Sequence, residues 1–158
     1  MVKAISYILK EKGKNRAVSR TVLRIIDANL NRSSEGLRVC EDIARFVMRD
    51  RGLQGGLKNI RHSIKRINQR IYSKFDFVEA RAVDKDEGKG TNESDLERMS
   101  IGDVFKANSQ RVKEALRSLE EFTKLIDNRI SEDVKKIRFR YYDAEKRAFK
   151  KIEAMRDL

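Results

Sequence analysis

ANLNRSSEGLRVCED, residues 28–42, has a second version later in the chain, ANSQRVKEALRSLEE, residues 107–121. Laid together without a gap, the two agree at Ala28/Ala107, Asn29/Asn108, Arg32/Arg111, Glu35/Glu114, Leu37/Leu116, Arg38/Arg117 and Glu41/Glu120. Asn31/Gln110 and Asp42/Glu121 are conservative pairs. Packing alone would preserve the leucines, yet most of what recurs is polar. The repeat continues into partner segments, where Leu57-Lys58-Asn59-Ile60-Arg61 parallels Val134-Lys135-Lys136-Ile137-Arg138. The duplicated unit is therefore a helical hairpin. Two hairpins joined by a long connection predict an all-α four-helix bundle with approximate internal two-fold symmetry.

Working outward, the pattern predicts a short N-terminal helix over residues 2–12, ended by Gly13, within an extension spanning residues 1–18. A long helix follows over residues 20–49 with Gly52 as its stop, and a second covers residues 56–74. Residues 75–99 form the long connection, which contains the polar run AVDKDEGKGTNESD at residues 82–95. Ser100 and Asp103 read as a capping box opening a helix to about Ile126. Asp127-Asn128 makes a turn, and Ser131 caps the last helix with Glu132 and Asp133 in its first turn. The whole of residues 1–158 reads as one domain.

At 100° per residue, Arg24, Asp27, Asn31, Glu35, Arg38, Asp42, Arg45 and Arg49 fall in one narrow stripe of the first repeat helix. Most of the remaining circumference is apolar, so this helix should sit deep, its stripe either the only wet strip or the wall of a polar cavity. Arg32 falls off the stripe, near Val39 and Phe46, where an unpaired charge would be costly if buried.

A net charge of +12, with 39% charged residues of mixed sign, invites an anionic partner such as nucleic acid, an acidic surface or a phosphorylated small molecule. It equally suits a well-solvated Lys/Arg/Glu surface. Pro is absent and Gly numbers 8, which favours uninterrupted helices. The single Cys40 cannot form an internal disulfide and is expected to be a buried small hydrophobe. No apolar run approaches the ~20 residues of a membrane span, and the start MVKAISYILKEKGK is charged too soon for a signal peptide. The expected location is cytoplasmic.

The i, i+3 spacing of Arg32, Glu35, Arg38 and Glu41 suits a salt-bridge ladder along one helix, each pair contributing about 0.2–0.5 kcal/mol. It equally suits an anion pocket in which Arg32, Arg38, Arg111 and Arg117 face a ligand and the acids hold their guanidinium forks. His62 is the sole histidine, and lone histidines are more often packed or surface residues than bases. Asp86-Glu87-Gly88-Lys89-Gly90-Thr91 could cradle phosphate through backbone amides, but it lacks the Walker spacing and reads as readily as a turn. One Cys and one His exclude a structural zinc site. The Arg138-Phe139-Arg140-Tyr141-Tyr142 run fits the inner face of the last helix with basic flanks.

The segment RIIDANLNRSSEGLRVCEDIARF, residues 24–46, resembles the opening signature of the monofunctional hydroxymethylpyrimidine-phosphate kinases of thiamin biosynthesis. That small helical family occurs alone or fused ahead of thiamine-phosphate synthase. The second repeat through Phe122 and Lys124, Leu57-Lys58 with Arg61-His62, and Asp86 with Gly88 carry the same resemblance, which runs from about Arg24 to Arg147. It departs at Glu87 and at the inserted Lys89. The resemblance implies ATP-dependent phosphorylation of 4-amino-5-hydroxymethyl-2-methylpyrimidine phosphate, with Mg²⁺ bound by carboxylates, water and phosphate. On that reading Arg32, Arg38, Arg111 and Arg117 hold phosphates, oriented by Glu35 and Glu114. Arg61 and His62 add phosphate contacts, Asn31 and Asn108 meet the aminopyrimidine edge, and Asp27 and Asp86 are the metal candidates. Homodimerisation or association with thiamine-phosphate synthase would fit such a protein. The chain lacks the large α/β barrel that the synthase needs, so a synthase name on it would be borrowed from the fusion. Two other readings stand beside this one. A nucleic-acid-binding helical module would bind with steep salt dependence. A non-catalytic partner domain of the synthase would show no turnover alone. Neither needs the repeated Asn-Arg-Glu pattern, which stands against both, and nucleic acid is not the expected partner.

Overall fold

The computed structural model describes residues 6–11, 14–75 and 98–155. Two short strands, β1 (Ser6–Glu11) and β2 (Lys14–Ser19), pair antiparallel with Tyr7 opposite Val18. They correct the expected N-terminal helix. Tyr7-Ile8-Leu9 is a short continuous apolar run, which periodicity cannot assign, and an isolated helix that short is marginal in water. Val18 of β2 is buried in the helical core.

Four helices make the bundle: α1 (Arg20–Asp42), α2 (Arg51–Tyr72), α3 (Ile101–Thr123) and α4 (Asn128–Ala154). Each starts at a side-chain cap. Ser19 accepts from the Val22 amide at 3.2 Å, Asp50 from Leu53 at 2.9 Å, Ser100 from Asp103 at 3.1 Å and Asp127 from Arg129 at 2.9 Å. The capping box at Ser100 and Asp103 therefore forms as expected. Ser131 is not a cap. It lies inside α4, buried, and its hydroxyl donates to the Glu120 carbonyl at 2.7 Å. Gly52 stops nothing either, because it lies within α2. The break comes earlier, through a π-helical turn at Ile43–Val47 and then Arg49 at φ 50. A π turn adds a residue to the coil, which shifts the helix's end without needing a glycine.

The core follows the helical periods. In α2, Leu53, Leu57, Ile60, Ile64, Ile67 and Ile71 are buried at alternating four- and three-residue steps. In α4, Ile130, Val134, Ile137, Tyr141, Ala144 and Ala148 repeat the same rhythm. Helix α1 packs on α2 and α3, and α4 packs on α2 and α3, leaving α1/α4 and α2/α3 as diagonals. The two repeat-bearing helices thus meet each other directly. Gly36 lets them come close: a Cβ there would stand 2.8 Å from Val112 Cγ2 and 3.0 Å from the Asn108 carbonyl oxygen. Cys40 is buried as expected. Among the described residues, no helix is long and apolar enough to cross a membrane.

Candidate functional site

The duplicated motif divides into two jobs. Its last acid is structural in both halves. Glu41 is buried and accepts from Arg61 Nε at 2.9 Å, tying α1 to α2. Glu120 is equally buried and accepts from Arg138 Nε at 2.7 Å, tying α3 to α4. Burial pushes the Glu41 carboxyl up, but the Arg61 hydrogen bond and charge, with Gln54, outweigh it and hold the group below its ordinary 4.5. The hydrogen bond to Glu120, reinforced by Tyr142, raises Arg138.

The earlier part of the motif faces a cleft of about 980 Å³ between α1 and α3. Asn29, Arg32, Glu35, Gly36 and Val39 line one wall, and their repeat counterparts Asn108, Arg111, Glu114, Ala115 and Ser118 line the other. Ile25 and Phe122 complete it. Ile25, Asn29, Arg32, Gly36 and Val39 step four, three, four and three residues, the rhythm of a packing seam. Asn29, Arg32 and Gly36 occupy the middle of that seam where leucines would close it, and Gly36 lets α3 approach closely. The two asparagines are held alike: Asn29 Nδ2 donates to the Ile25 carbonyl and Asn108 Nδ2 to the Val104 carbonyl, both at 2.8 Å. Each bond fixes a carboxamide at the edge of the cleft. Gln110 Nε2 donates to Glu114 Oε1 at 2.7 Å and steadies that carboxylate.

Arg32 is exposed into this cleft, which removes the difficulty of a charge among apolar neighbours: water reaches it there. Arg111 faces it across the pseudo-two-fold. Arg38 and Arg117 do not join them. Six residues along a helix turn a side chain some 120° away from Arg32 and Arg111. Arg38 lies in a separate groove of about 570 Å³ between α1 and α2, with Ser34, Glu35, Arg61, Lys65 and Asn68. Arg117 is held by Glu120 at 3.1 Å and Glu121 at 2.8 Å. The expected four-arginine pocket is thus two arginines in the cleft and two outside it. Glu35 lines both the cleft and the groove.

Other expected members also part company. Asn31 is exposed outside the cleft, and Asn29 is the true counterpart of Asn108. Asp27 is buried and its carboxylate accepts from the Tyr72 hydroxyl, facing α2. His62 is exposed on α2 and lines neither cleft nor groove. Asp86 and the rest of its loop lie outside the described residues. No group of three or more His, Cys, Asp or Glu side chains that could hold a metal occurs among the described residues. Sequence reasoning also missed a buried polar chain. Tyr141 donates to Ser109 at 2.8 Å, Ser109 to Glu145 at 2.5 Å, and Lys113 pairs with Glu145 at 2.8 Å. Cys40 lies 3.7 Å from the Tyr141 hydroxyl. The only signal was a Tyr in a core position, which needs a partner for its hydroxyl.

Comparison with known proteins bears on what this cleft handles. The model of the ThiD2 family matches residues 24–147, which takes in all four helices up to Arg147. The chain is 39% identical over 127 residues to a protein of Rhodopirellula baltica named thiamine-phosphate synthase, covering 80% of this chain and 34% of that protein. A protein of the same name from Thermosynechococcus vestitus is 39% identical over 123 residues, covering 77% of this chain and 34% of its own. Another from Nostoc punctiforme is 38% identical over 134 residues, covering 81% of this chain and 35% of its own. The chain spans about a third of the length of the curated relatives it matches. No solved structure matches it.

Proposed function

The chain belongs to the ThiD2 family, and from that premise we propose that it serves thiamin biosynthesis as a kinase. The reaction moves the terminal phosphoryl group of ATP onto 4-amino-5-hydroxymethyl-2-methylpyrimidine phosphate. A phosphate oxygen of the acceptor bonds to the terminal phosphorus, the bond to the bridging oxygen breaks, and ADP leaves. A phosphate acceptor is already anionic, so no strong base is needed, in keeping with a cleft that contains no histidine.

The observation that carries the reading is the symmetric placement of Arg32 and Arg111 across one cleft, each with a glutamate and an asparagine from its own repeat. Phosphoryl transfer depends on positioning and on neutralising charge over the transferred oxygens, and two guanidinium groups on opposite walls supply both. The carboxamides of Asn29 and Asn108, already oriented by their carbonyl bonds, meet the amino and ring-nitrogen edge of a pyrimidine. Phe122 at the wall offers that ring an apolar face. Glu35 and Glu114 orient the arginines. On this reading Glu35 and Glu114, one on each wall, are also the carboxylates that would hold Mg²⁺, which takes one or two carboxylates with phosphate and water and would neutralise charge between the phosphates. Asp27, engaged by Tyr72 on the α2 side, does not fit that role.

The test is ADP release from Mg-ATP with the pyrimidine monophosphate, the unphosphorylated pyrimidine serving as control. Turnover of the monophosphate alone is expected. Because the matched segment is only 34% of the relative's length, a second reading is a partner domain docked on the synthase. No turnover by the folded chain alone, together with co-purification with the synthase, would favour it.

A further inference from the structure

The internal repeat provides its own control, and the two halves treat the cations around their buried glutamates differently. In the second half the cations around Glu120 are satisfied within the fold. Arg117 bonds Glu120 and Glu121, Arg138 bonds Glu120 and the Tyr142 hydroxyl at 2.9 Å, and Lys113 pairs with Glu145. In the first half the matching positions are different. Lys65 stands where Tyr142 does, Asn68 where Glu145 does, and Ser34 where Lys113 does. The result is the α1–α2 groove, with Arg38, Arg61 and Lys65 around it. Lys65 has no ion-pair partner among the described residues, and Arg38 has only Asp42 at 3.7 Å. Arg61 binds Glu41 through Nε, so its two terminal nitrogens are not used by that bond. One half neutralises its cations within the fold, and the other gathers three around a groove that also holds a hydroxyl, a carboxamide and the Glu35 carboxylate, with Arg61 and Arg38 each keeping one acidic neighbour. A bundle that needed only stability would have no reason to lose the neutralised arrangement on one side.

We infer that this α1–α2 groove is a polyphosphate site, and that it takes the phosphate chain of the nucleotide donor while the α1–α3 cleft takes the acceptor. Glu35, on the wall between them, is the residue both sites share. The assignment of donor and acceptor rests on the kinase reading above, whereas the polyphosphate site does not.

Arg38 and Lys65 are exposed, so Arg38→Ala with Lys65→Ala leaves the core intact. The probe is inorganic tripolyphosphate, titrated calorimetrically at fixed ionic strength into the full chain. The double variant should bind at least tenfold more weakly than the wild type. Arg117→Ala should bind within twofold of it, and so should Lys135→Ala with Lys136→Ala, which removes two exposed charges elsewhere. In steady-state turnover the groove variant should raise KM for ATP and leave KM for the pyrimidine monophosphate unchanged. Equal weakening by the Lys135/Lys136 control would mean that the overall charge of +12 does the binding, and would overturn the site. So would unchanged binding by the groove variant, or no binding by the wild type. Groove-dependent binding in a chain without kinase turnover would uphold the site and remove the kinase reading. Turnover with a raised KM for the monophosphate alone would overturn the donor assignment.

Discussion

Cys40 and Arg32 sit on one helix and have opposite fates, and each can be tested on its own. Burial pushes the Cys40 thiol from its ordinary 9.0 up to about 12, the nearby Tyr141 hydroxyl only partly offsetting this. The unfolded chain releases that proton above 9.0 while the folded chain keeps it until about 12. The Cys40 contribution to stability should therefore be level below pH 9 and fall by about 1.4 kcal/mol per pH unit between pH 9 and 12. Denaturant titrations of the wild type and Cys40→Ala check this: the variant should be less stable at pH 8 yet lose less between pH 9 and 11. Arg32 was legible as a functional residue from its repetition in Arg111 and because it falls off the polar stripe. Its environment was not, since a one-helix projection shows apolar neighbours and cannot show that the partner helix stands away from them. Asn29 was legible too: the repeat pairs it with Asn108 and pairs Asn31 with Gln110, whereas the stripe of the one-helix projection favours Asn31, and the cleft agrees with the repeat.

Between elements, the Gly36 contact and the Glu41–Arg61 pair set how α1 is held. Gly36→Ala places a Cβ 2.8 Å from Val112 Cγ2 and should cost about 1–3 kcal/mol in urea denaturation. Adding Val112→Ala removes the clashing methyl, so the second change should cost less in the Gly36→Ala background than alone, a coupling that a double-mutant cycle reads directly. Arg61→Ala leaves the Glu41 carboxylate buried with only Gln54 to bond it and should destabilise by about 1–3 kcal/mol near neutral pH. The folded-state pKa of Glu41 is depressed, so its contribution is present above 4.5 and is lost as pH falls through the lower folded value. The gap between wild type and Arg61→Ala should accordingly narrow in acid. Helix existence and pairing were readable from period and repetition, and so were the starts at Arg20 and at the Ser100–Asp103 capping box, whereas the start at Arg51 was not. Asp127 was read as part of a turn because Ser131, with two acids behind it, mimics a stronger cap. Gly52 drew the first boundary away from Asp50 because the π-helical turn and the left-handed Arg49 carry no compositional mark.

Across the whole molecule, duplication explains both what is symmetric and what is not. The buried Glu–Arg pairs, the back-bonded asparagines and the cleft walls recur in both halves. The repeat made the two-hairpin bundle legible, because α1 and α3 had to be equivalent and therefore lie about a common axis. It did not make the site legible as a single pocket. The four arginines look alike in one dimension, but the helical turn sends Arg38 and Arg117 to the hairpin side and leaves Arg32 and Arg111 between the halves. The central claim is that these last two act together on phosphate. The most direct test is steady-state turnover of the pyrimidine monophosphate with Mg-ATP by wild type, Arg32→Ala, Arg111→Ala and the double variant, each shown to be folded by circular dichroism. Each single change should lower kcat by about 10²–10³-fold, as the loss of one transition-state donor does. The double variant should fall well short of the product of the two, because one site has already been dismantled. Turnover within a few-fold of wild type in either single variant would contradict the account and return the repeated arginines to the surface.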